Sequence, residues 1–240
     1  MTRTVLRITG PDREKFLHGL LTRDVPETGL GYAALLNPQG KYLADFLCFR
    51  DGEAICLDIA ADLAPQVAQR LGIYKLRADV AIEASGMTVG LGLGQPPEGA
   101  MTDPRPGMGW RLYGGTCDGG VDWDAVRVEN LVPETGIELI PNESYILEMG
   151  FERLGGVDFK KGCYVGQEVT ARMKHKTELR KGLARVTGRG LTPGAEITAS
   201  GRPAGTVHTV AGDRALAYIR FDRAEEMEAG GVPLMLDARA

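Results

Sequence analysis

At 240 residues, 43% hydrophobic and 25% charged, the chain is long enough for one large domain or two to three small ones, with the balance of an ordinary globular protein. A formal charge of −4 argues against nonspecific coating of nucleic acid. The N-terminus, Met1 to Arg7, has no long apolar stretch, and no run approaches the roughly 18 apolar residues of a membrane helix, so neither a secretory signal nor a membrane span is expected.

Gly10-Pro11-Asp12 reads as a helix start, and Phe16, Leu17, Leu20 and Leu21 follow at helical spacing with one buried stripe. Arg50-Asp51-Gly52-Glu53 is a hairpin signal between two alternating runs, Tyr42 to Phe49 and Ala54 to Ile59. Asp62 is placed to cap a helix carrying Leu63, Val67 and Leu71, with Gly72 at its end. A further strand is expected over Ala78 to Glu83. From Ser85 to Gly120 glycine and proline accumulate, which implies a small second module with short strands at Thr88 to Leu93 and Gly109 to Tyr113. Val121 to Leu131 and Gln167 to Lys174 read as helices. After Lys181, short strands alternate with turns at Gly188-Arg189-Gly190, Pro193-Gly194, Ser200-Gly201 and Ala211-Gly212, the spacing of a small barrel or sandwich. The class is α+β, divided at 1–84, 85–180 and 181–240.

Two positions carry chemistry. Cys163 stands between Gly162 and Gly166 in the most basic stretch of the chain, where seven Lys or Arg face two Glu from Lys160 to Lys181. Flanking glycines allow close backbone approach, and a following helix start with Lys160 and Lys161 nearby would favour the thiolate. The alternative is a small residue packed in a tight turn. Asp45 is the second: strict alternation puts it with Leu43, Leu47 and Phe49 on one face, where a carboxylate is either desolvated and paired or open to solvent near the strand end. Arg172-Met173-Lys174-His175-Lys176 is a basic helix end, functional only if it docks a partner. Glu143, after Pro141-Asn142, fits a helix cap. Cys48, Cys56, Cys117 and Cys163 are far apart and include no Cys-x-x-Cys pair. That spacing argues against a self-contained metal site or disulfide framework and implies a reduced, cytoplasmic protein.

The run Lys161-Gly162-Cys163-Tyr164-x-Gly166-Gln167-Glu168-x-x-x-Arg172 resembles the signature of the YgfZ family, folate-binding relatives of the glycine-cleavage T-protein implicated in iron–sulfur cluster assembly. Phe16 to Val25, Leu36-Asn37-Pro38-Gln39-Gly40-Lys41, Tyr74-Lys75-Leu76-Arg77 and Ile140 to Glu143 are similar to other segments of that family. The resemblance implies a T-protein-like fold of three parts around a central pocket, ending in a small β-barrel. It implies tetrahydrofolate as cofactor with Asn37, Asp45, Arg127 and Glu143 lining the pocket, Cys163 at the rim, and iron–sulfur client or assembly proteins as partners, tRNA-modifying cluster enzymes among the clients. No resident metal is expected. The T-protein pair of adjacent acids is Ala44-Asp45 here, which weakens aminomethyl transfer relative to an accessory role in cluster assembly or repair. The runner-up is a folate-dependent aminomethyl or one-carbon transferase with Asp45 orienting the amine. A third reading docks the basic segment on RNA or an RNA-modifying enzyme.

Overall fold

The computed structural model describes residues 2–115, 119–176 and 178–240, with the Lys176 side chain left aside; Cys117 lies outside the described residues. The N-terminal half is built on a five-stranded antiparallel sheet. Its strands are β1 (Arg3–Thr9), β2 (Gly31–Leu36), β3 (Tyr42–Asp51), β4 (Ala54–Ala60) and β5 (Ala81–Ala84), in the order β2-β3-β4-β1-β5. The expected β3–β4 hairpin turns at Gly52, whose φ of 56° is the left-handed conformation such a turn requires. Every residue of β2 and β4 is buried, because both faces of the sheet are covered.

On one face lie helices α1 (Arg13–His18) and α2 (Ala64–Lys75). Phe16, Leu17, Val67 and Leu71 pack there against Ile8, Leu35, Phe46, Ile55 and Leu57. α2 runs through Gly72, where an end was expected, and stops at Leu76, whose φ of 46° departs from the helix. Asp12 accepts from the Asp79 backbone N–H at 2.8 Å, so it ties α1 to the loop before β5 instead of capping its own helix.

The other face meets the middle of the chain. Tyr32, Tyr42, Leu47 and Phe49 pack with Val128, Val132, Leu139, Ile146, Phe151 and Tyr164. Over this face sits a three-stranded sheet in the order β6-β8-β7, from β6 (Val89–Gly92), β7 (Met101–Thr102) and β8 (Trp110–Tyr113). The small second module read from the sequence is therefore a lid of short strands. Helix α3 spans Trp123–Asn130 and α4 Gln167–Lys176, with turns between them.

The C-terminal strands close into a six-stranded barrel. They are β9 (Lys181–Thr187), β10 (Glu196–Ala199), β11 (Arg202–Ala211), β12 (Arg214–Arg220), β13 (Met227–Ala229) and β14 (Val232–Arg239). The barrel has its own core around Val186, Ile197, Val207, Ile219 and Leu234, while Leu183 and Leu216 join the central cluster.

Candidate functional site

Strict alternation along β3 fails at one place. Leu35 pairs with Ala44 but Leu36 pairs with Tyr42, so Leu43 is a bulge. Leu43 thus turns to the helix-covered face, and Tyr42 takes its place beside Asp45, Leu47 and Phe49. That inversion brings the Tyr42 hydroxyl to 2.7 Å from Asp45 Oδ1. Thr135 Oγ1 lies 2.8 Å from the same oxygen and 2.7 Å from Tyr42 Oη. Two hydroxyl protons serve three contacts, so at most two are hydrogen bonds at once. Asp45 is 4% exposed, which settles the choice between an open strand end and a desolvated carboxylate in favour of the second.

Asp45 faces a cavity of about 70 Å³ lined also by Arg3, Leu91, Arg105, Met108, Arg111, Trp123, Pro133, Glu134 and Thr135. Its charged wall is a chain of buried pairs. Arg105 Nε and Nη2 grip Asp103 at 3.0 and 2.7 Å. Arg111 bridges Asp103 at 3.0 Å and Asp58 at 2.7 Å, and Arg3 reaches the other Asp58 oxygen at 2.7 Å. Burial alone would raise the Asp58 pKa, yet Arg3 and Arg111 outweigh it and hold the carboxyl below its usual range. Asp103 is likewise lowered, against burial, by Arg105 and Arg111. The buried Tyr32 hydroxyl faces Asp45 but makes no hydrogen bond of good geometry among the described residues. Burial, and then the nearby Asp45 charge, push its pKa well up. Arg105 stands over the Tyr32 ring, 5.1 Å from its centre.

The other pocket residues implied by the resemblance do not join Asp45 in this lining. Asn37 organises the β2–β3 turn, its Oδ1 accepting from the Gln39 and Lys41 backbones at 3.0 and 2.9 Å. Glu143 is exposed in a turn, with no helix behind it to cap, and its carbonyl accepts from Lys41 Nζ at 2.8 Å. Arg127 is buried one layer behind the wall, satisfied by Glu138 at 3.0 Å, Thr209 at 2.9 Å and Asp124 at 2.8 Å. Tyr42, Thr135, Arg105 and Arg111 are what sequence reasoning missed. Only the aromatic at Tyr42 gave a signal, and the bulge hid its face.

The motif lies elsewhere. Lys161 is buried, and its Nζ donates to the His18 and Leu21 carbonyls, both at 2.8 Å, with Asp24 at 3.1 Å. It clamps the end of α1 and does not supply a cation to the thiol; desolvation lowers its pKa. A Cβ on Gly162 would stand 2.8 Å from His18 Nε2. Gly166, at φ 83°, rests on the β2–β3 turn, where a Cβ would come within 2.7 Å of the Asn37 carbonyl oxygen. Tyr164 packs into the central cluster and Val165 onto the helix-covered side, so the motif crosses from one cluster to the other. Cys163 is exposed, whereas Cys48 and Cys56 are buried. It follows Gly162, which lies against the His18 ring at the end of α1, and it is not part of the cavity lining. Burial raises the Cys56 thiol to about 11 and Cys48 further. Gln167 and Glu168 open α4, with Glu168 and Arg172 exposed. Lys174 pairs with Glu152, so the basic run is partly spent on structure. A groove of about 360 Å³ runs past His18, Asp24 and Arg50. Among the described residues no group of three potential ligands could hold a metal, and no helix is long and apolar enough to cross a membrane.

Residues 180–239 match the family model of the CAF17 C-terminal β-barrel domain. The chain is 32% identical to the human iron–sulfur cluster assembly factor IBA57, mitochondrial, over 90% of its own length and 75% of the relative's. It is 30% identical to the mouse protein of the same name, over 92% and 76%. In fold it is similar to the glycine cleavage system aminomethyltransferase T of Bartonella henselae, with a TM-score of 0.80 at 15% identity, covering 98% of this chain and 83% of that one. The T-protein-like α+β fold with its terminal barrel is thereby shown. These two relatives are IBA57 proteins, so the family shown is that of IBA57 and not specifically YgfZ. Their names place them in the mitochondrion and overturn the cytoplasmic location expected from cysteine spacing, which reports thiol chemistry and not an address.

Proposed function

The chain belongs to the family of the iron–sulfur cluster assembly factors named IBA57, and on that premise we propose that it assists cluster assembly or repair by presenting Cys163 to a cluster held mainly by a partner. The observation that carries this reading is the exposure of Cys163 on a rigidly seated loop, with the other described cysteines buried. One thiolate cannot hold a cluster by itself, so the remaining ligands must come from a partner chain or a small thiol. Ligation would form an iron–sulfur bond at Cys163 Sγ, displacing a water or small-thiol ligand from that iron, as the thiol proton leaves to water. Lys161, Gly162, Tyr164 and Gly166 fix the loop; Gln167 and Glu168 start the helix behind it, and Arg172 lies exposed on that helix. The YgfZ-like signature supports the same role, with tRNA-modifying cluster enzymes as one client class.

Tetrahydrofolate is proposed as the ligand of the Asp45 cavity. Its chemistry is matched by a buried carboxylate with apolar neighbours Leu91, Met108, Trp123 and Pro133, the pairing a pterin ring needs. A volume of about 70 Å³ takes the edge of such a ring, since whole-ligand pockets run to roughly 300 Å³ or more; binding therefore requires these side chains to part. Arg127 stands behind the walls, and Asn37 and Glu143 lie outside them by the β2–β3 turn.

The test is a strain carrying only Cys163→Ala. Cluster-dependent enzymes should lose activity while the purified variant keeps the wild-type melting temperature. Full client activity in that strain rules out the thiol's role. The transferase reading has the shared fold behind it and the single Asp45; methylene-tetrahydrofolate formation from an aminomethyl-lipoyl carrier would establish it.

A further inference from the structure

The polar atoms around the Asp45 cavity can be followed to their partners, and two lining groups are left with capacity to spare. Both hydroxyl contacts of Asp45 go to Oδ1, and Oδ2 accepts no hydrogen bond among the described residues. Arg105 commits its backbone N–H, Nε and Nη2 to Asp103, and Nη1 donates to no described residue. Both residues line the same cavity and no ion pair joins them. The Tyr32 hydroxyl behind them faces Asp45 without a hydrogen bond of good geometry. Buried groups are left open in this way where something else completes them.

Charge narrows what that is. The buried guanidinium groups of Arg3, Arg105 and Arg111 are matched by the buried carboxylates of Asp45, Asp58 and Asp103. Glu134, the lining's partly exposed carboxylate, lies 3.9 Å from Arg127 Nε outside that balance. A ligand head with net charge would be desolvated there without a counter-ion. A neutral edge that offers a donor beside an acceptor meets both free groups at no such cost.

We propose that Arg105 determines the specificity of this cavity. Asp45 Oδ2 accepts from a ring N–H, Arg105 Nη1 donates to a ring carbonyl, and the site reads the lactam edge of a 4-oxopteridine while rejecting the 4-amino edge. The inference rests on the folate reading above and adds a discriminating residue to it. Asp103 fixes the Arg105 fork in place, so the donor is oriented before the ligand arrives. A 4-amino group would set donor against donor and leave the guanidinium unpaired, a mismatch of the kind that costs at least tenfold in affinity.

Folic acid and aminopterin differ at that ring position and supply the comparison. Trp123 lines the cavity, so its fluorescence follows both titrations, with tetrahydrofolate titrated anaerobically alongside. Wild type should favour folic acid by at least about tenfold. Arg105→Leu should bring the two within about threefold, chiefly by weakening folic acid. Because Arg105→Leu leaves Asp103 with Arg111 as its remaining buried partner, Arg105→Leu with Asp103→Asn is measured as well, and both are checked for cooperative melting. Equal binding of the two ligands by wild type, or a preference that survives in folded Arg105 variants, overturns the inference and leaves the folate reading standing. Folded wild type that binds none of the three ligands overturns the folate reading, and the inference with it.

Discussion

Gly162 and Gly166 look equivalent in the sequence, one on each side of Cys163, yet they answer to different constraints. Gly166 holds φ 83° with backbone on all sides: a Cβ would meet the Asn37 carbonyl oxygen at 2.7 Å and Gly40 Cα at 3.1 Å. Gly166→Ala should therefore cost about 1–3 kcal/mol in denaturant unfolding. A Cβ on Gly162 meets the half-exposed His18 ring, which can swing aside, so Gly162→Ala should cost well under half as much. Equal losses would show that the motif loop is not seated on the β2–β3 turn. The sequence showed that both glycines matter and could not show which one is in contact with distant backbone. Lys161 teaches the same lesson in charge. It reads as part of a basic setting for the thiol, but its amine is buried against two carbonyls and Asp24. Lys161→Met leaves those carbonyls unpaired and should cost about 1–3 kcal/mol. The Asp24 carboxyl, now lowered by Lys161 and His18 against its partial burial, should titrate at higher pH in that variant by NMR.

Most elements were legible because their periods and turn residues are local. The β3–β4 hairpin, α1, α3 and the short strands of the middle module lie within a few residues of where patterning puts them. The bulge at Leu43 was not legible, since it reflects pairing with β2 and has no signature in β3 itself. The ionic chain was equally hidden. Arg3, Asp58, Asp103, Arg105 and Arg111 stand on four separate segments, and only the closing of the small sheet over the large one joins them. This chain makes a prediction about acid. Asp58 has a folded pKa held below the unfolded value of about 3.9. A depressed carboxyl contributes stability that is present above about pH 3.9 and is lost as pH falls through the folded pKa. Asp58→Asn should thus be less stable than wild type by about 3–5 kcal/mol at pH 7, where buried guanidiniums lose their partner. Its stability should also fall less steeply than wild type below pH 4, with Asp103 supplying the remaining slope. Urea unfolding at pH 3, 4 and 7 reads both effects, and parallel curves would remove Asp58 as the source.

At the scale of the whole molecule, turn spacing announced the barrel, but the way the barrel is joined to the rest could not be read. The barrel closes on itself and has its own core, so it could unfold as a separate unit. Leu183 and Leu216 belong to the central cluster, and Ala211, Tyr218 and Ala238 pack against it. The most buried polar joint is Glu138, 2% exposed, in addition to the Tyr218–Glu148 hydrogen bond and the more exposed pairs of Arg185 and Arg214 with Glu129. One Glu138 oxygen accepts from the Thr209 hydroxyl and backbone on β11; the other accepts from Arg127 on α3 and from the Glu134 backbone N–H at 2.9 Å. Glu134 is also a wall of the Asp45 cavity, so one buried carboxylate seats the barrel and steadies the site. Removing it leaves Arg127 buried with its nearest carboxylate, Asp124, mostly exposed, a loss of about 3–5 kcal/mol. Wild type should melt in a single calorimetric transition. Glu138→Ala should split it in two, with the barrel surviving the first step, and should weaken pteridine binding even though Glu138 does not line the cavity. A single transition at the wild-type temperature would assign the coupling to the apolar contacts and the other polar pairs instead. Split melting with unchanged ligand affinity would separate the barrel's seat from the cavity wall.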